Sequence, residues 1–537
     1  MAGRTRPGPE HVMGPAGAMI DQVRGALTLA RVNTRLGERP DRPLRALLAM
    51  LPHGSTMLGA VAAGTARYPH AVAIVDDEGA VTHAQLWADS TALARALRAR
   101  GVGPDDRIGI LMRNSSRFAV TMLGGAMLGA DLVFLNTGSA APQLAEVVEA
   151  EQVTLLICDD DAADRVTPSS GPTVIPAGEL PALIRDAPTG RLPAPERTGR
   201  LVILTSGTTG RPKGAPRAAD RAAATATTAL LGRIPMRVRD TLVINAPFFH
   251  AWGLANLTIA LALSATVVTR RQFDPEQTLR DVGEFRADGL VVVPVMMQAI
   301  CALDSRVLAS VDTASLRVIA CSGSALPGRL ATEILDRFGP VLYNVYGSTE
   351  VATATIATPD DLRRCATTAG RPAPGIRVRV LDEDGDPLPP GVPGRVFVGS
   401  ASSFEGYSDG GEKESRHGLL STGDLGHVDP SGHLHIDGRE DDMIVSGGEN
   451  VYPAEVEELL GQHPDVAEVV VVGVPDERFG QALKAFVVPR PGATVDGEDL
   501  REHVRTRLAS YKVPRTVAFV AELPRNATGK VLRSELT

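Results

Sequence analysis

The 537 residues predict an α/β protein: a large N-terminal domain of two α/β layers and a small β-barrel, followed by a smaller α+β C-terminal domain. Three observations carry this. From residue 70, short apolar runs alternate with helical stretches, the pattern of parallel sheet covered by helices. The runs stand at 71–75, 107–112, 132–135 and 153–158 and resume at 289–294 and 316–321, so two similar layers are expected. After residue 370 the texture turns to Gly/Pro-punctuated β segments, Arg377-Val-Arg-Val-Leu381, Gly394-Arg-Val-Phe-Val398 and a hairpin around Asp429-Pro-Ser-Gly432, which predict the barrel. The polar run Asp437-Gly-Arg-Glu-Asp-Asp442 then precedes a compact tail, placing the boundary at Asp441. The expected domains are an extension over 1–55, a large domain over 56–440 and a small one over 441–537.

The extension spaces Ile20, Val23, Leu27 and Ala30 on one helical face, and a second apolar stripe begins over 44–51. Two short amphipathic helices follow, whose apolar faces dock on the protein's own surface or rest on a membrane. The first helix of the large domain opens at Thr82-His-Ala-Gln85, a capping-box spacing, and carries Leu86, Leu93 and Leu97 at helical intervals. In the tail, Ala454-Glu-Val-Glu-Glu-Leu-Leu460 reads as helix and Val469-Val-Val-Val472 as strand.

With 44% hydrophobic and 22% charged residues the chain is a soluble globular protein, and its net charge of −8 supplies no basic field for nucleic acid. Cys158, Cys301, Cys321 and Cys365 are far apart and form no CxxC pair, so reduced thiols in a cytoplasmic protein are expected. No run approaches the ~18 consecutive apolar residues of a membrane span.

Directly after the apolar run Leu201-Val-Ile-Leu204 stands Thr205-Ser-Gly-Thr-Thr-Gly-Arg-Pro-Lys-Gly214. A buried strand that breaks into glycines, hydroxyls and one lysine exposes backbone N–H groups and a cation to a polyphosphate. The Walker pattern is excluded, because Lys213 lies between Pro212 and Gly214. The phosphate-binding residues are therefore Thr205, Ser206, Gly207, Thr208, Thr209, Gly210 and Lys213. A second segment, Asn344-Val-Tyr-Gly-Ser-Thr-Glu350, sets an aromatic ring, a glycine turn, two hydroxyls and a carboxylate within five residues, a set able to serve adenine, phosphate and magnesium.

In this order the two segments resemble the signatures of the adenylate-forming superfamily, which includes acyl-CoA synthetases, aryl-acid ligases, luciferases and peptide-synthetase adenylation domains. The resemblance implies that Tyr346 stacks on adenine, Asn344 bonds its exocyclic amine, Thr349 holds the α-phosphate and Glu350 ligates Mg²⁺, with Gly347 and Ser348 in the same turn. Five further stretches resemble those of the family. Cys321-Ser-Gly-Ser-Ala-Leu-Pro327 brings Ser324 and Ala325 toward the base. Ala246-Pro-Phe-Phe-His-Ala-Trp-Gly253 resembles the segment between acid and phosphates, with His250 as an orienter and Phe248, Phe249 and Trp252 lining an apolar acid pocket. Asp424 suits a ribose diol and Arg439 ribose or phosphate. Gly447 and Gly448 resemble the path of the pantetheine arm, and Lys530 the lysine that bridges carboxylate and α-phosphate.

The resemblance spans 201–533 and implies two Rossmann-like layers, a barrel and a mobile C-terminal domain that turns about a hinge at Asp441. The implied reaction uses ATP, Mg²⁺ and CoA: acyl-AMP forms with release of pyrophosphate, then a thiol takes the acyl group. A medium- or long-chain fatty acid is the first choice of acid. An aryl or cinnamic-type acid, a carrier-protein thiol, or an inorganic acid such as nitrous acid coupled to an amine are the alternatives. A non-catalytic nucleotide-binding protein is the competing class, and the presence of Lys530, Glu350 and Asp424 together argues against it.

Overall fold

Two helix-covered sheets form the body of the large domain in the computed structural model. It describes residues 38, 39 and 41–536 except 166–170, 207–211, 218–226, 401, 402, 404, 405, 409, 411, 441, 443, 447, 448, 477–479, 509–511, 527 and 528. Gly207, Thr208, Thr209, Gly210, Asp441, Gly447, Gly448 and the segment 18–31 thus lie outside the described residues, as do the side chains of Thr205, Ser206 and Lys213.

The first sheet has six strands in the order Thr173–Pro176, Leu155–Cys158, Arg107–Leu111, Asp131–Phe134, Leu201–Ser206 and Pro212–Arg217, parallel except for the last. Asp131–Phe134 and Leu155–Cys158 are buried at every residue, because helices cover both faces and leave no solvent side for alternation to mark. The second sheet has nine strands and a parallel centre that runs Leu342–Ser348, Val318–Cys321, Gly289–Val292, Thr241–Ile244, Thr266–Val268 and Val72–Asp76. Antiparallel strands finish both edges.

The helix His83–Ala99 starts at the predicted capping box: the Thr82 hydroxyl accepts from the Gln85 amide while the Gln85 side chain accepts from the Thr82 amide. Leu86, Leu93 and Leu97 on it are buried. The expected barrel is a five-stranded antiparallel sheet that includes Arg377–Leu381, Gly394–Gly399, Leu419–Val428 and Leu434–Arg439, the last two joined by the Asp429–Gly432 turn. The tail forms a separate five-stranded sheet with its own core, in which Val456 and Leu460 of the helix Pro453–Gly461 meet Val471, Leu483, Leu500 and Val504.

The N-terminal helix Asp41–Met50 docks on the protein through a side other than its apolar stripe. It packs on the helix Met57–Arg67, with the Arg42 guanidinium 4.5 Å from the Tyr68 ring, yet Leu44, Leu47, Leu48 and Leu51 are 56, 51, 56 and 64% exposed. The apolar stripe therefore points away from the body, and Arg42, Ala46 and Ala49 make the less exposed side. Among the described residues no helix is long and apolar enough to cross a membrane.

Candidate active site

The strand Leu201–Ser206 runs on through the first residues of the glycine-rich stretch, and the chain returns as Pro212–Arg217 with Thr205 opposite Lys213. The flanks of the motif, Thr205, Ser206, Pro212 and Lys213, are thus paired as ladder. Gly214 is required in the return strand: a Cβ there would overlap the Glu151 carboxylate and the Ser408 hydroxyl. Its carbonyl accepts from the Ser408 amide at 2.9 Å, and the preceding residue, Tyr407, donates its hydroxyl to Glu350 Oε1, also at 2.9 Å. The return strand of the glycine-rich stretch is in this way tied to the carboxylate of the second signature.

Glu350 lies just past the strand Leu342–Ser348 and is 8% exposed. Ser348 Oγ donates to its Oε2 at 2.7 Å and accepts from the Glu350 amide at 3.2 Å, so the turn and the side chain hold each other. Burial raises the Glu350 pKa, but the charge of Lys413 and the hydroxyls of Ser348 and Tyr407 outweigh it and hold the carboxyl below its ordinary value. Lys413 is itself fixed, with Nζ donating to the Thr422 carbonyl at 2.9 Å. The site therefore keeps a fixed anion at neutral pH.

Asp424 and Arg439 are cross-strand partners in the barrel, with Arg439 Nη1 3.2 Å from Asp424 Oδ1. The other carboxylate oxygen, Oδ2, accepts from the Tyr346 hydroxyl at 2.5 Å. Burial, then the Asp424 charge, push the Tyr346 phenol well above its ordinary pKa, so it remains the donor of this bond. The residue expected against adenine and the one expected against ribose are thus joined directly. Asn344 lies two residues before Tyr346, and among the described residues its side-chain amide has no hydrogen-bond partner.

His250 caps the helix Ala251–Ala262. Its Nε2 is buried without a partner among the described residues, and burial pushes its pKa down to about 4, so the ring is neutral near pH 7. The Phe249 ring lies 4.5 Å away, and the Trp252 indole N–H is tied to the Val292 carbonyl at 3.1 Å. Phe248 does not line an acid pocket. It is fully buried against Phe118, at 5.5 Å between rings, because 247–250 is a turn closed by the His250 amide on the Pro247 carbonyl at 3.1 Å, and Phe248 takes its core side. Gly323, at φ +97°, lies against Val293 and leads into Ser324 and Ala325.

Apart from Gly214, Ser408 and Phe248, these groups open on one cleft of about 2320 Å³ between the large domain and the tail. Its walls include His250, Ser324, Ala325, Asn344, Tyr346 and the turn Gly347, Ser348, Thr349 and Glu350, with Asp424 and Arg439 from the barrel. Lys530, from the other domain, lines the same cleft.

The sequence profile described as AMP-binding enzyme matches residues 61–408, and that of the AMP-binding enzyme C-terminal domain matches 455–530. The chain belongs to the AMP-binding enzyme family. A feruloyl-CoA synthase of Amycolatopsis sp is 36% identical over 477 residues, covering 87% of this chain and 96% of the relative. An indoleacetate–CoA ligase of Aromatoleum aromaticum is 35% identical over 494 residues, covering 87% and 95%. Among solved structures, the amide bond synthetase McbA from Marinactinospora thermotolerans superposes with a TM-score of 0.79 at 30% identity, covering 89% of this chain and 99% of that one. This AMP-binding enzyme is an acid–thiol ligase of the AMP-forming acyl-CoA synthetase type.

Among the residues of the AMP-binding enzyme's cleft that escaped the sequence reading are Tyr407, Lys413, Gln298, Glu468 and Arg525. Gly406-Tyr407 and Glu412-Lys413 stand in a polar connection before the strand Leu419–Val428, and a tyrosine and a lysine there read as ordinary surface residues. Their role depends on partners more than 50 residues away for Tyr407 and on the barrel backbone for Lys413.

Proposed function

We propose that this enzyme activates a carboxylic acid with an aromatic, apolar body as its acyl-AMP and then passes the acyl group to the thiol of CoA. The observation that carries this is the convergence on one cleft of the buried anion Glu350, the Tyr346–Asp424–Arg439 chain and Lys530 from the second domain. The base stacks on Tyr346 with its amine toward Asn344, and Asp424 and Arg439 receive the ribose. Thr349 and the glycine-rich loop hold phosphate oxygens. A substrate carboxylate oxygen attacks the α-phosphorus, the bond to the bridging oxygen breaks, and pyrophosphate departs. Lys530 neutralises the charge that gathers on the reacting oxygens.

Glu350 has the chemistry of a magnesium ligand, being ionised, nearly buried and open to the cleft. Magnesium takes one or two carboxylates and fills its remaining positions with phosphate oxygens and water. When bound it would neutralise phosphate charge. His250, neutral and with one unpartnered ring nitrogen, orients the acid without adding a second cation beside Lys530. In the second half-reaction the CoA sulfur attacks the acyl carbonyl and AMP leaves; a thiol of pKa about 8.5 supplies thiolate without a dedicated base. Gly447 and Gly448 admit the pantetheine arm, and Asp441 is the hinge between the two half-reactions. Asp441→Pro is expected to spare acyl-AMP formation and depress thioester yield; equal loss of both would refute the hinge.

An aromatic acid replaces the fatty acid expected first. Phe249 and Trp252 wall the cleft beside His250, Val293 continues the wall, and both relatives above carry aromatic acids in their names. A screen of acids that reads AMP release with and without CoA tests this. Aryl acids are expected to lead, with CoA raising turnover; a preference for long alkyl acids would overturn it. The likeness to an amide bond synthetase favours a second acceptor, an amine, and acid-dependent AMP release stimulated by amines but not by CoA would select it.

The exposed stripe Leu44, Leu47, Leu48 and Leu51 fits an anionic lipid surface, and four free thiols support the reading of an otherwise cytoplasmic enzyme. Residues 1–53 carry eight arginines against four carboxylates in a chain of net charge −8. Full-length enzyme is expected to sediment with phosphatidylglycerol vesicles and to lose this when the four leucines become serine. No sedimentation, or a dimer that the same substitutions dissociate, would refute it.

A further inference from the structure

Three groups hold the hairpin that carries Lys530, and none of them belongs to the two nucleotide signatures. Residues 525 and 531 form an antiparallel bridge, and within it the Asn526 amide donates to the Lys530 carbonyl at 2.9 Å while Asn526 Oδ1 accepts from the Lys530 amide at 2.9 Å. Arg525 closes the turn from outside, with Nη1 donating to the Gly529 carbonyl at 2.6 Å. Its Nη2 donates to Glu468 Oε2, and both side chains are 25% exposed. Glu468 Oε1 in turn accepts from Gln298 Nε2 at 3.3 Å, and Gln298 belongs to the large-domain helix Pro294–Cys301.

The backbone adds a steric register. Gly529 stands at φ +78°, a conformation that favours glycine, and a Cβ there would overlap the Val295 side chain. Val295 lies on the same large-domain helix as Gln298. The hairpin is thus seated on one helix by close packing at residue 529 and by a relay of hydrogen bonds three residues further along it. Lys530 follows directly and is exposed toward the cleft that Glu350 and Tyr346 line.

We propose that Glu468 and Arg525 are positioning residues for Lys530, acting in acyl-AMP formation and not in thioester formation. The reason is geometric. Arg525 is a planar fork that reaches the hairpin carbonyl with one nitrogen and Glu468 with another, so it converts the seat of Glu468 on Gln298 into a fixed height for residues 529 and 530. A long, flexible lysine gains rate only if its stem is held where the reacting oxygens form, and a displacement of about 1 Å costs on the order of 100-fold. The Gln298–Glu468 contact crosses between domains, so it exists only while the tail sits on this helix, and thiol transfer after domain rotation does not use it.

The inference rests on the reading that Lys530 serves the first half-reaction, and the experiment separates the two. Full-length Glu468→Gln, Arg525→Met, Gln298→Ala and Lys530→Ala enzymes are assayed twice: for acid-dependent exchange of labelled pyrophosphate into ATP, and for thioester formation from chemically supplied acyl-AMP and CoA. Glu468→Gln and Arg525→Met are expected to lower the exchange kcat about 10- to 100-fold and to leave the second reaction within about threefold. Gln298→Ala, outside the tail and unable to unfold it, is expected to fall in the same direction by about threefold to tenfold. Glu468→Asp should recover part of the exchange rate. Equal loss in both assays would make the pair structural and overturn the proposal. Exchange unchanged in Glu468→Gln while Lys530→Ala abolishes it would overturn the positioning role alone; exchange unchanged in Lys530→Ala would overturn the reading beneath it.

Discussion

Replacing Tyr346 by Phe keeps the ring and removes the hydroxyl that donates to Asp424 at 2.5 Å. The bond is short, charge-assisted and part-buried, the class for which the net contribution is about 1.5–3 kcal/mol. Asp424 keeps Arg439 on its other oxygen at 3.2 Å, so it stays paired but loses one of two restraints. If the carboxylate meets the ribose, that energy converts at about 1.4 kcal/mol per decade into a KM for ATP raised roughly 10- to 100-fold. The ring still stacks and Lys530 is untouched, so the exchange kcat should change by less than about threefold. Initial rates of pyrophosphate exchange over an ATP series give both constants. Tyr346→Ala, which removes ring and hydroxyl together, should raise KM further. A Tyr346→Phe enzyme with wild-type KM, or one whose loss falls wholly on kcat, would refute the assignment of this pair to the nucleoside.

Glu350→Gln removes the fixed anion and should cut exchange by about 100- to 1000-fold and shift the half-saturating magnesium concentration upward; an unchanged magnesium curve would contradict its role. Gly214→Ala drives a methyl into Glu151 and Ser408 and should cost about 1–3 kcal/mol, read as a lower Tm together with a higher KM for ATP. Burial raises the Asp361 pKa, but the Thr358 amide and hydroxyl and His433, at 2.8 Å, together bring it down from 3.8 to about 2. A depressed carboxylate contributes stability above its unfolded pKa, so this contribution is complete above about pH 5 and is lost as pH falls through 3.8 toward 2; urea unfolding of Asp361→Asn should be flatter across that window. Burial pushes Cys158 and Cys301 up to about 11 and 12 and Cys321 higher still, while Cys365 is exposed, so native enzyme should show one fast thiol toward Ellman's reagent and denatured enzyme four.

The fold was legible wherever a residue type has a single use. The strand-like runs at 107–112 and 153–158 hold parallel strands, and the capping-box spacing of Thr82 and Gln85 starts a helix. The cleft was legible where chemistry is carried by one segment, as in 344–350. It was not legible where function depends on contacts between segments distant in sequence. Tyr407 reads as a surface tyrosine until Glu350 stands opposite, and Arg525 reads as one more charge near the C-terminus until Glu468 and Gln298 are placed. Phe248 failed for the opposite reason: its neighbours Phe249, His250 and Trp252 line the cleft, and the turn over 247–250 sends Phe248 alone into the core. The leucines at 44–51 show the same limit, since a helical stripe fixes which residues share a face and not which way that face turns.

On the function proposed above, Lys530 crosses from the small domain to make acyl-AMP in a cleft that takes ATP and an aromatic acid. Pyrophosphate exchange into ATP, measured without CoA for wild-type and Lys530→Ala enzymes, tests it most directly. Exchange that depends on an aryl acid and falls at least about 100-fold in Lys530→Ala is the expected result. Exchange that survives the substitution, or that no carboxylic acid elicits from the wild-type enzyme, would contradict the account.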